Sequence, residues 1–446
     1  MIAKGYFKTP VVIIDHMVEK LFENQIPKAT DSVLDTGCGP GDFIEGIIRW
    51  CEKHDSPLPN IKGVELDPKF VARAKKKFQK NPEIAIEQRD YLASNNEKFD
   101  FIISNPPYVP ITQLSENEKR LYRPLYKTAK GRFDLYILFF EKSLKSLSKN
   151  GRLVFITPEK YTYIKTAQPL RQLLTDMQVK EIEFLQEDTF LGLTTYPTIT
   201  IVENSVPQNK VKITYKDSTV KYVSLPKKGE SWLPILNGIK NKKSKQTLED
   251  ICIKISCGVA TGADKIFVQK IDSMDPNLEK YAYPTIAGKE LVYDQDLPDI
   301  KFKMIVPYDE NGKLIPLNKL GPLEKYLKKP EIMKRLRERS CARKKPWHAF
   351  HETPPMKFLF RPKILCRDIS ARPTFWLDKD GIFLPRHTTY YIILKDNSKI
   401  YKIFEYLQSK EAQNWLMKNC QRAANNFLRL QSHVLKKLPI PDELYI

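Results

Sequence analysis

Two hydrophobic rhythms alternate along the first 200 residues of the chain. Short apolar runs, such as Val33-Leu34 and Phe101-Ile-Ile103, are bounded by polar or turn residues and have the length of buried strands. Between them, apolar residues recur three and four positions apart, the pattern of a helix with one buried stripe. Strands are expected at Ser32–Thr36, Ile61–Glu65, Ile84–Glu87, Phe99–Ser104, Arg152–Thr157, Val179–Leu185 and Thr198–Val202. Helices are expected at Val11–Phe22, Asp42–Lys53, Pro68–Phe78 and Asp134–Ser148. This alternation predicts an α/β fold, a doubly wound and mostly parallel sheet with helices on both faces. In such sheets ligands bind outside the carboxyl ends of the strands. The residues that end each strand are therefore where chemistry is expected.

The pattern changes after Asn204. A polar, Lys-rich stretch containing Pro226-Lys-Lys-Gly229 and Lys240-Asn-Lys-Lys-Ser-Lys245 reads as a connecting segment, 205–245. Beyond it come short strand-like runs separated by Pro and Gly, with helical patterns over Leu323–Arg339 and Ser398–Lys418. Charge divides in the same way. The 446 residues include 74 Lys and Arg against 53 Asp and Glu, a net of +21. Residues 1–202 hold 29 basic and 26 acidic side chains, whereas 203–446 hold 45 and 27. The basic excess belongs to the second part and points to a polyanionic partner, with a membrane surface as the other candidate. No run of about 18 apolar residues is present, and Met1–Pro10 lacks the apolar core of a signal peptide. The seven Cys form no C-x-x-C pair and the six His show no zinc-site spacing. A cytoplasmic, reduced, metal-free protein is expected.

Three constellations carry the chemistry. Asp35-Thr-Gly-Cys-Gly-Pro-Gly41 ends one strand and opens a helix, with glycines suited to a tight turn and close approach of a ligand. It matches neither the phosphate-cradling G-x-x-x-x-G-K-[ST] nor the dinucleotide G-x-G-x-x-G. Glu65 ends the next strand, where a carboxylate can accept both ribose hydroxyls of a nucleoside, and Asp90 comes after the third, where it can accept from an adenine amino group. Together these acids point to an adenosine-bearing cofactor. Ser104-Asn-Pro-Pro-Tyr108 comes directly after the fourth strand and is the most specific signal. The Asn105 amide oxygen and the Pro106 carbonyl can each accept one N–H of a conjugated amine. The prolines fix φ, and Tyr108 offers a flat face to a base.

The order of Gly5-Tyr-Phe-Lys-Thr-Pro10, Asp35–Gly41, Gly63-Val-Glu-Leu-Asp67, Asp90 and Asn105-Pro-Pro-Tyr108 resembles the gamma class of DNA adenine-N6 methyltransferases, which accompany restriction enzymes. Phe133–Lys142, Asp188–Thr200, Ser256–Val268 and Arg429–Pro441 resemble later segments of that family. The resemblance implies a Rossmann-like doubly wound catalytic domain (1–204) that uses S-adenosyl-L-methionine, and after it a mixed α/β target-recognition domain (246–446). It implies that Thr9, Pro10, Asp35, Gly37, Gly39, Gly41, Glu65, Asp90, Asn105 and Phe139 line the cofactor site. Phe139 would pack on the cofactor adenine. Asn105, Pro106 and Tyr108 would act on the flipped base, with Phe190 or Tyr196 as a second stacking aromatic and Phe190 the preferred choice. Thr9-Pro10 reads equally well as the start of the Val11–Phe22 helix.

The resemblance also implies double-stranded DNA as partner, a separate cognate restriction endonuclease, and a monomer. Flipping a base out of a duplex costs a few kcal/mol, which phosphate and base-edge contacts must offset. Candidate contacts are Lys325–Pro330, Lys334–Arg339 and Arg343–Trp347, together with Arg361, Arg367, Arg372 and Arg386. Cytosine-N4, RNA adenine and protein glutamine amide are alternative substrates for the same loop. The N-terminal start of the catalytic motifs and the basic second part favour duplex DNA.

Overall fold

The structure is a computed structural model that describes residues 5–94, 97–186, 189–190, 196–236, 246–422 and 427–444. The chain forms two compact units, Met1–Lys240 and Asn241–Ile446.

The first unit is built on nine strands. They are β1 (Ser32–Thr36), β2 (Asn60–Glu65), β3 (Ile84–Gln88), β4 (Phe99–Ser104), β5 (Leu147–Pro158), β6 (Gln178–Phe184), β7 (Pro197–Glu203), β8 (Val211–Thr214) and β9 (Val220–Val223). Their order in the sheet is β3-β2-β1-β4-β5-β7-β6-β8-β9. The pairs from β3 to β5 are parallel, and β7 runs antiparallel to both β5 and β6. The helices are α1 (Val11–Phe22), α2 (Asp42–Lys53), α3 (Pro68–Lys77), α4 (Glu116–Leu125), α5 (Leu135–Ser146) and α6 (Gln168–Thr175).

Both faces of the sheet are covered, as its short apolar runs require. Phe101 and Ile103 join one buried cluster with residues of α1, α2 and α3, while Ile102 joins the other with residues of α4, α5 and α6. This is the two-residue strand period expressed in packing. The strand order reverses between β1 and β4, so the crevice beyond their carboxyl ends is the topological switch point.

Residues 205–236 of the segment expected to connect the two parts belong instead to the first unit. Its strands β8 and β9 extend the sheet, with β8 parallel to β6. Trp232, fully buried, and Arg171 anchor the chain beyond β9: the Arg171 guanidinium donates to the carbonyls of Gly229 and Glu230. Residues 237–245 of that segment lie outside the described residues.

The second unit is mixed α/β. One sheet takes the order Cys252–Cys257, Thr389–Leu394, Lys363–Arg367, Phe375–Asp378; a second takes Val268–Lys270, Phe302–Ile305, Ala282–Ile286, Leu384–Pro385. The helical pattern over Leu323–Arg339 divides into Pro322–Leu327 and Pro330–Arg337, because Pro330 has no N–H to continue the first helix. That over Ser398–Lys418 divides into Ile400–Gln408 and Lys410–Asn419, where extended Ser409 caps the second helix through Ala412 N. No described helix is long and apolar enough to cross a membrane.

Candidate active site

The turn after β1 is shaped by its glycines. Gly37, Gly39 and Gly41 have φ of +74°, +53° and +91°, where L side chains are strained. A Cβ at Gly41 would collide with the Phe78 ring. At Gly37 it would lie 3.7 Å from Phe139 and 3.9 Å from Pro107, so the turn, α5 and the loop after β4 converge there. Glu65 braces the turn from the end of β2. Its Oε2 accepts from Gly39 N at 2.9 Å, and its Oε1 accepts from the backbone N of Leu66 and Asp67 at 2.7 and 2.8 Å. A carboxylate has about four acceptor sites, so about one remains for a ligand hydroxyl. Next in sequence, Leu66 holds an apolar side chain 61% exposed.

Asp35 is fully buried, and among the described residues neither carboxylate oxygen has a hydrogen-bond partner. Burial, reinforced by the Glu65 and Asp42 carboxylates, pushes its pKa well above the ordinary range. An isolated buried carboxylate is unfavourable, and a cationic ligand group beside it relieves the cost. Asp90 is already engaged on both oxygens. Oδ1 accepts from Leu92 N at 2.9 Å, and Oδ2 accepts from the Tyr122 hydroxyl of α4 at 2.9 Å. The Tyr126 hydroxyl donates to the Leu92 carbonyl, while Lys142 Nζ donates to the Ser94 carbonyl at 2.6 Å and lies 4.8 Å from the Tyr91 ring centre. Burial lowers the Lys142 pKa to about 8. Tyr91 in turn packs on Phe139, ring centres 5.3 Å apart. The loop carrying Asp90 is thus held by hydrogen bonds from Tyr122, Tyr126 and Lys142. Tyr122, Tyr126 and Lys142 are not among the residues expected from the sequence. Ser115-x-x-Glu118 marks the start of α4 as a capping box, but nothing local marks where its tyrosines point.

β4 ends at Ser104, whose hydroxyl donates to the Thr36 carbonyl and ties the ends of β1 and β4 together. Asn105 Nδ2 donates to the Phe7 carbonyl and to Thr9 Oγ1, both at 3.1 Å. A carbonyl only accepts, so Phe7 fixes which end of the amide bears the hydrogens. Asn105 Oδ1 and the Pro106 carbonyl accept no hydrogen bond among the described residues. The segment Gly5–Thr9 straps both loops. The Gly5 carbonyl accepts from Tyr108 N at 3.3 Å, and the Tyr6 ring covers Gly39. Burial and then Asp42 raise the Tyr6 pKa to about 12. Thr9 is 4% exposed and its hydroxyl serves Asn105. Pro10 is exposed, and its carbonyl accepts from Ile13 N and Ile14 N, starting α1.

The Tyr108 hydroxyl donates to the Ile156 carbonyl at 3.2 Å, and burial raises its pKa. Its ring stacks near Phe7 at 5.7 Å and meets Tyr136 and Phe190 edge-on at 6.1 and 6.4 Å. Phe190 is 3% exposed. Tyr196 is engaged differently: its carbonyl accepts from Glu159 N at 2.8 Å and its ring lies 4.6 Å from Lys216 Nζ. Asp188 and residues 191–195 of this segment lie outside the described residues. The crevice therefore has one end that suits a cation and a nucleoside, and another that suits a planar NH2 group.

Several arginines expected to face a polyanion are turned inward. Arg386, 7% exposed, pairs with Glu290, and Arg367 donates to the Leu291 carbonyl. Arg339 donates to the carbonyls of Leu336, Thr261, Trp347 and Ala349. Arg372, by contrast, stays exposed and pairs with exposed Asp294 at 2.5 Å. The five-donor guanidinium fork satisfies loop carbonyls that no strand partner reaches. Lys325, Lys334, Arg335, Arg337, Arg343, Lys344 and Arg361 are exposed.

Residues 49–190 match the family described as Eco57I restriction-modification methylase, and 299–440 match the TaqI-like C-terminal specificity domain. Type II methyltransferase M.BstVI of Geobacillus stearothermophilus is 25% identical over 94% of this chain and 82% of its own. M.PaeR7I of Pseudomonas aeruginosa is 26% identical over 98% and 86%. Among solved structures, the type IIL restriction-modification enzyme MmeI in complex with DNA aligns with a TM-score of 0.65 and 12% identity, over 96% of this chain and 65% of that one, which shows a shared fold. With both family matches and relatives along nearly its whole length, the chain is similar from end to end to type II restriction-modification methyltransferases.

Proposed function

We propose that the protein transfers a methyl group from S-adenosyl-L-methionine to the N6 amino group of an adenine flipped out of duplex DNA, protecting that DNA from a cognate restriction endonuclease. The carrying observation is the Asn105 amide. Its two N–H groups are committed to Phe7 and Thr9, which leaves Oδ1, like the carbonyl of the next residue Pro106, to accept from a substrate amine. An aromatic amine delocalises its lone pair into the ring and is a poor nucleophile. Two acceptors, one for each N–H, draw density onto nitrogen and favour a tetrahedral geometry. Pro106 and Pro107 hold the backbone, and the Tyr108 ring supports the base from its face.

The residues around the glycine turn fit the cofactor. Asp35, without a partner, suits the ammonium of the methionine part, and the remaining acceptor site of Glu65 suits a ribose hydroxyl. Asp90 and Phe139 suit the adenine, and Leu66 offers it an apolar cover. When bound, this cofactor supplies a methyl group on a cationic sulfonium, an electrophile strong enough that no general base need act first. The chain's own contribution is orientation and placed charge. The basic second unit suits the phosphate contacts that must offset base flipping. The test is incubation with labelled cofactor and genomic DNA, then nucleoside analysis and site mapping. The expected product is N6-methyladenine at one short sequence. N4-methylcytosine would overturn the choice of base, and unlabelled DNA the choice of substrate.

A further inference from the structure

The acidic and basic residues of the catalytic unit are unevenly distributed. Of the 29 basic side chains in residues 1–202, six lie within 119–132, a stretch with no acid; the other 23 are outnumbered by 26 acids. This stretch belongs to an excursion, 111–133, that leaves the chain directly after the Asn105–Tyr108 loop. Its two ends are closed on each other. Pro110 and Asp134 form an antiparallel bridge, Leu135 N donates to the Val109 carbonyl at 2.8 Å, and Ile111 N donates to the Phe133 carbonyl at 2.9 Å.

The inner side of the excursion is pinned down. Tyr122 and Tyr126 are buried and hold Asp90 and Leu92, and the backbone N–H groups of Lys127 and Thr128 donate to the buried Glu141 carboxylate. Its outer side carries Arg120, Arg123, Lys127, Lys130 and Arg132, all exposed and, among the described residues, without an ion-pair partner. Only Lys119 is paired, with Glu116. Glu116 attracts Arg120 and Arg123, but the basic excess remains and its like charges repel one another, on a segment pinned by these hydrogen bonds and next in sequence to the Asn105–Tyr108 loop.

We propose that the 111–133 excursion is a phosphate-binding arm of the catalytic unit, gripping the DNA backbone beside the extruded nucleotide. The proposal rests on the DNA-methyltransferase reading. Its occupant is argued from charge complementarity and from continuity with the catalytic loop. Such an arm supplies affinity without reading sequence.

The test compares the full chain with a triple variant, Arg120→Ala, Lys127→Ala and Lys130→Ala. DNA affinity is measured across a salt series alongside methylation mapping and cofactor calorimetry. Each lost phosphate contact removes about 0.9 from the log–log salt slope, so the slope should fall by about 2–3 and affinity at 0.1 M salt by about 10²-fold. The methylated sequence and the cofactor affinity should not change. Charge-preserving swaps, Arg120→Lys, Lys127→Arg and Lys130→Arg, should restore the slope. An unchanged slope in the alanine variant, an altered target sequence, or a parallel loss of cofactor binding would each overturn the arm. A wild-type protein that binds no DNA would overturn the functional reading itself.

Discussion

The ends of β1 and β4 lie side by side, tied by the Ser104–Thr36 hydrogen bond, yet they are prepared in opposite ways. At β1, Asp35 is buried with neither oxygen satisfied among the described residues. At β4, Asn105 has both amide hydrogens placed on fixed acceptors. On the proposed function, the first end holds an unfavourable interaction that an arriving cation would relieve, which favours binding. The second holds an amide with both hydrogens engaged and its oxygen left to accept from the amine, which favours rate. Binding and turnover should therefore separate when the two ends are altered.

The largest expected effect is at the orienting end. Asn105→Ala removes one of two acceptors for the amine, a loss comparable to deleting one oxyanion donor, and turnover should fall by about 10²–10³-fold. Cofactor affinity by calorimetry should stay within about twofold. If affinity falls as steeply as turnover, the two ends are not distinct and the role given to Asn105 is wrong.

At the binding end the expected effect is smaller and double-edged. Asp35→Asn removes the charge that would face the cofactor ammonium, and affinity should weaken by about 10-fold, the size of a charged hydrogen bond. The ligand-free protein should become more stable at neutral pH. The sign is set by the raised pKa of Asp35. A carboxyl that holds its proton more tightly when folded is harmless below the ordinary carboxylate range. It costs stability as pH rises from there through its folded pKa. Ligand-free melting temperature should thus fall with pH in the wild type more than in Asp35→Asn. Equal slopes would mean that another group satisfies Asp35 in solution.

The same contrast explains what the sequence could disclose. The strands β1 and β4 and the helices α1 and α2 lie where the hydrophobic rhythm puts them, because each is buried along a regular face. The glycine turn and Asn105-Pro-Pro-Tyr108 were legible because turn chemistry is local. The strap that orients Asn105 was not: Phe7 is 98 residues away, and no local pattern announces such a contact. The strand β9 was missed for a related reason. Only four residues long and almost wholly exposed, it owes its existence to pairing with β8 rather than to burial. The inward arginines of the second unit illustrate the converse, since charge alone does not say whether a guanidinium faces solvent or a loop carbonyl.

The smallest expected effect tests whether the two ends communicate. Tyr122 sits on the excursion beyond the β4 loop, yet its hydroxyl holds Asp90 after β3. Tyr122→Phe keeps the ring and removes the donor. A carboxylate oxygen at a half-exposed site can take a water instead, so only about 0.5–1.5 kcal/mol is at stake, or about 2–10-fold in cofactor affinity. Turnover at saturating cofactor should not change, because nothing that touches the amine has moved. A general loosening of α4 would also weaken binding, so the decisive readout is selectivity for the cofactor's base. If Asp90 accepts from the adenine amino group and Tyr122 aims it, the variant should discriminate less between S-adenosylhomocysteine and its inosine counterpart than the wild type does. Weaker binding with unchanged discrimination would leave Tyr122 as packing alone. A fall in turnover would show that the excursion carries strain from the cofactor acid to the catalytic loop, and the separation between the binding and orienting ends would have to be withdrawn.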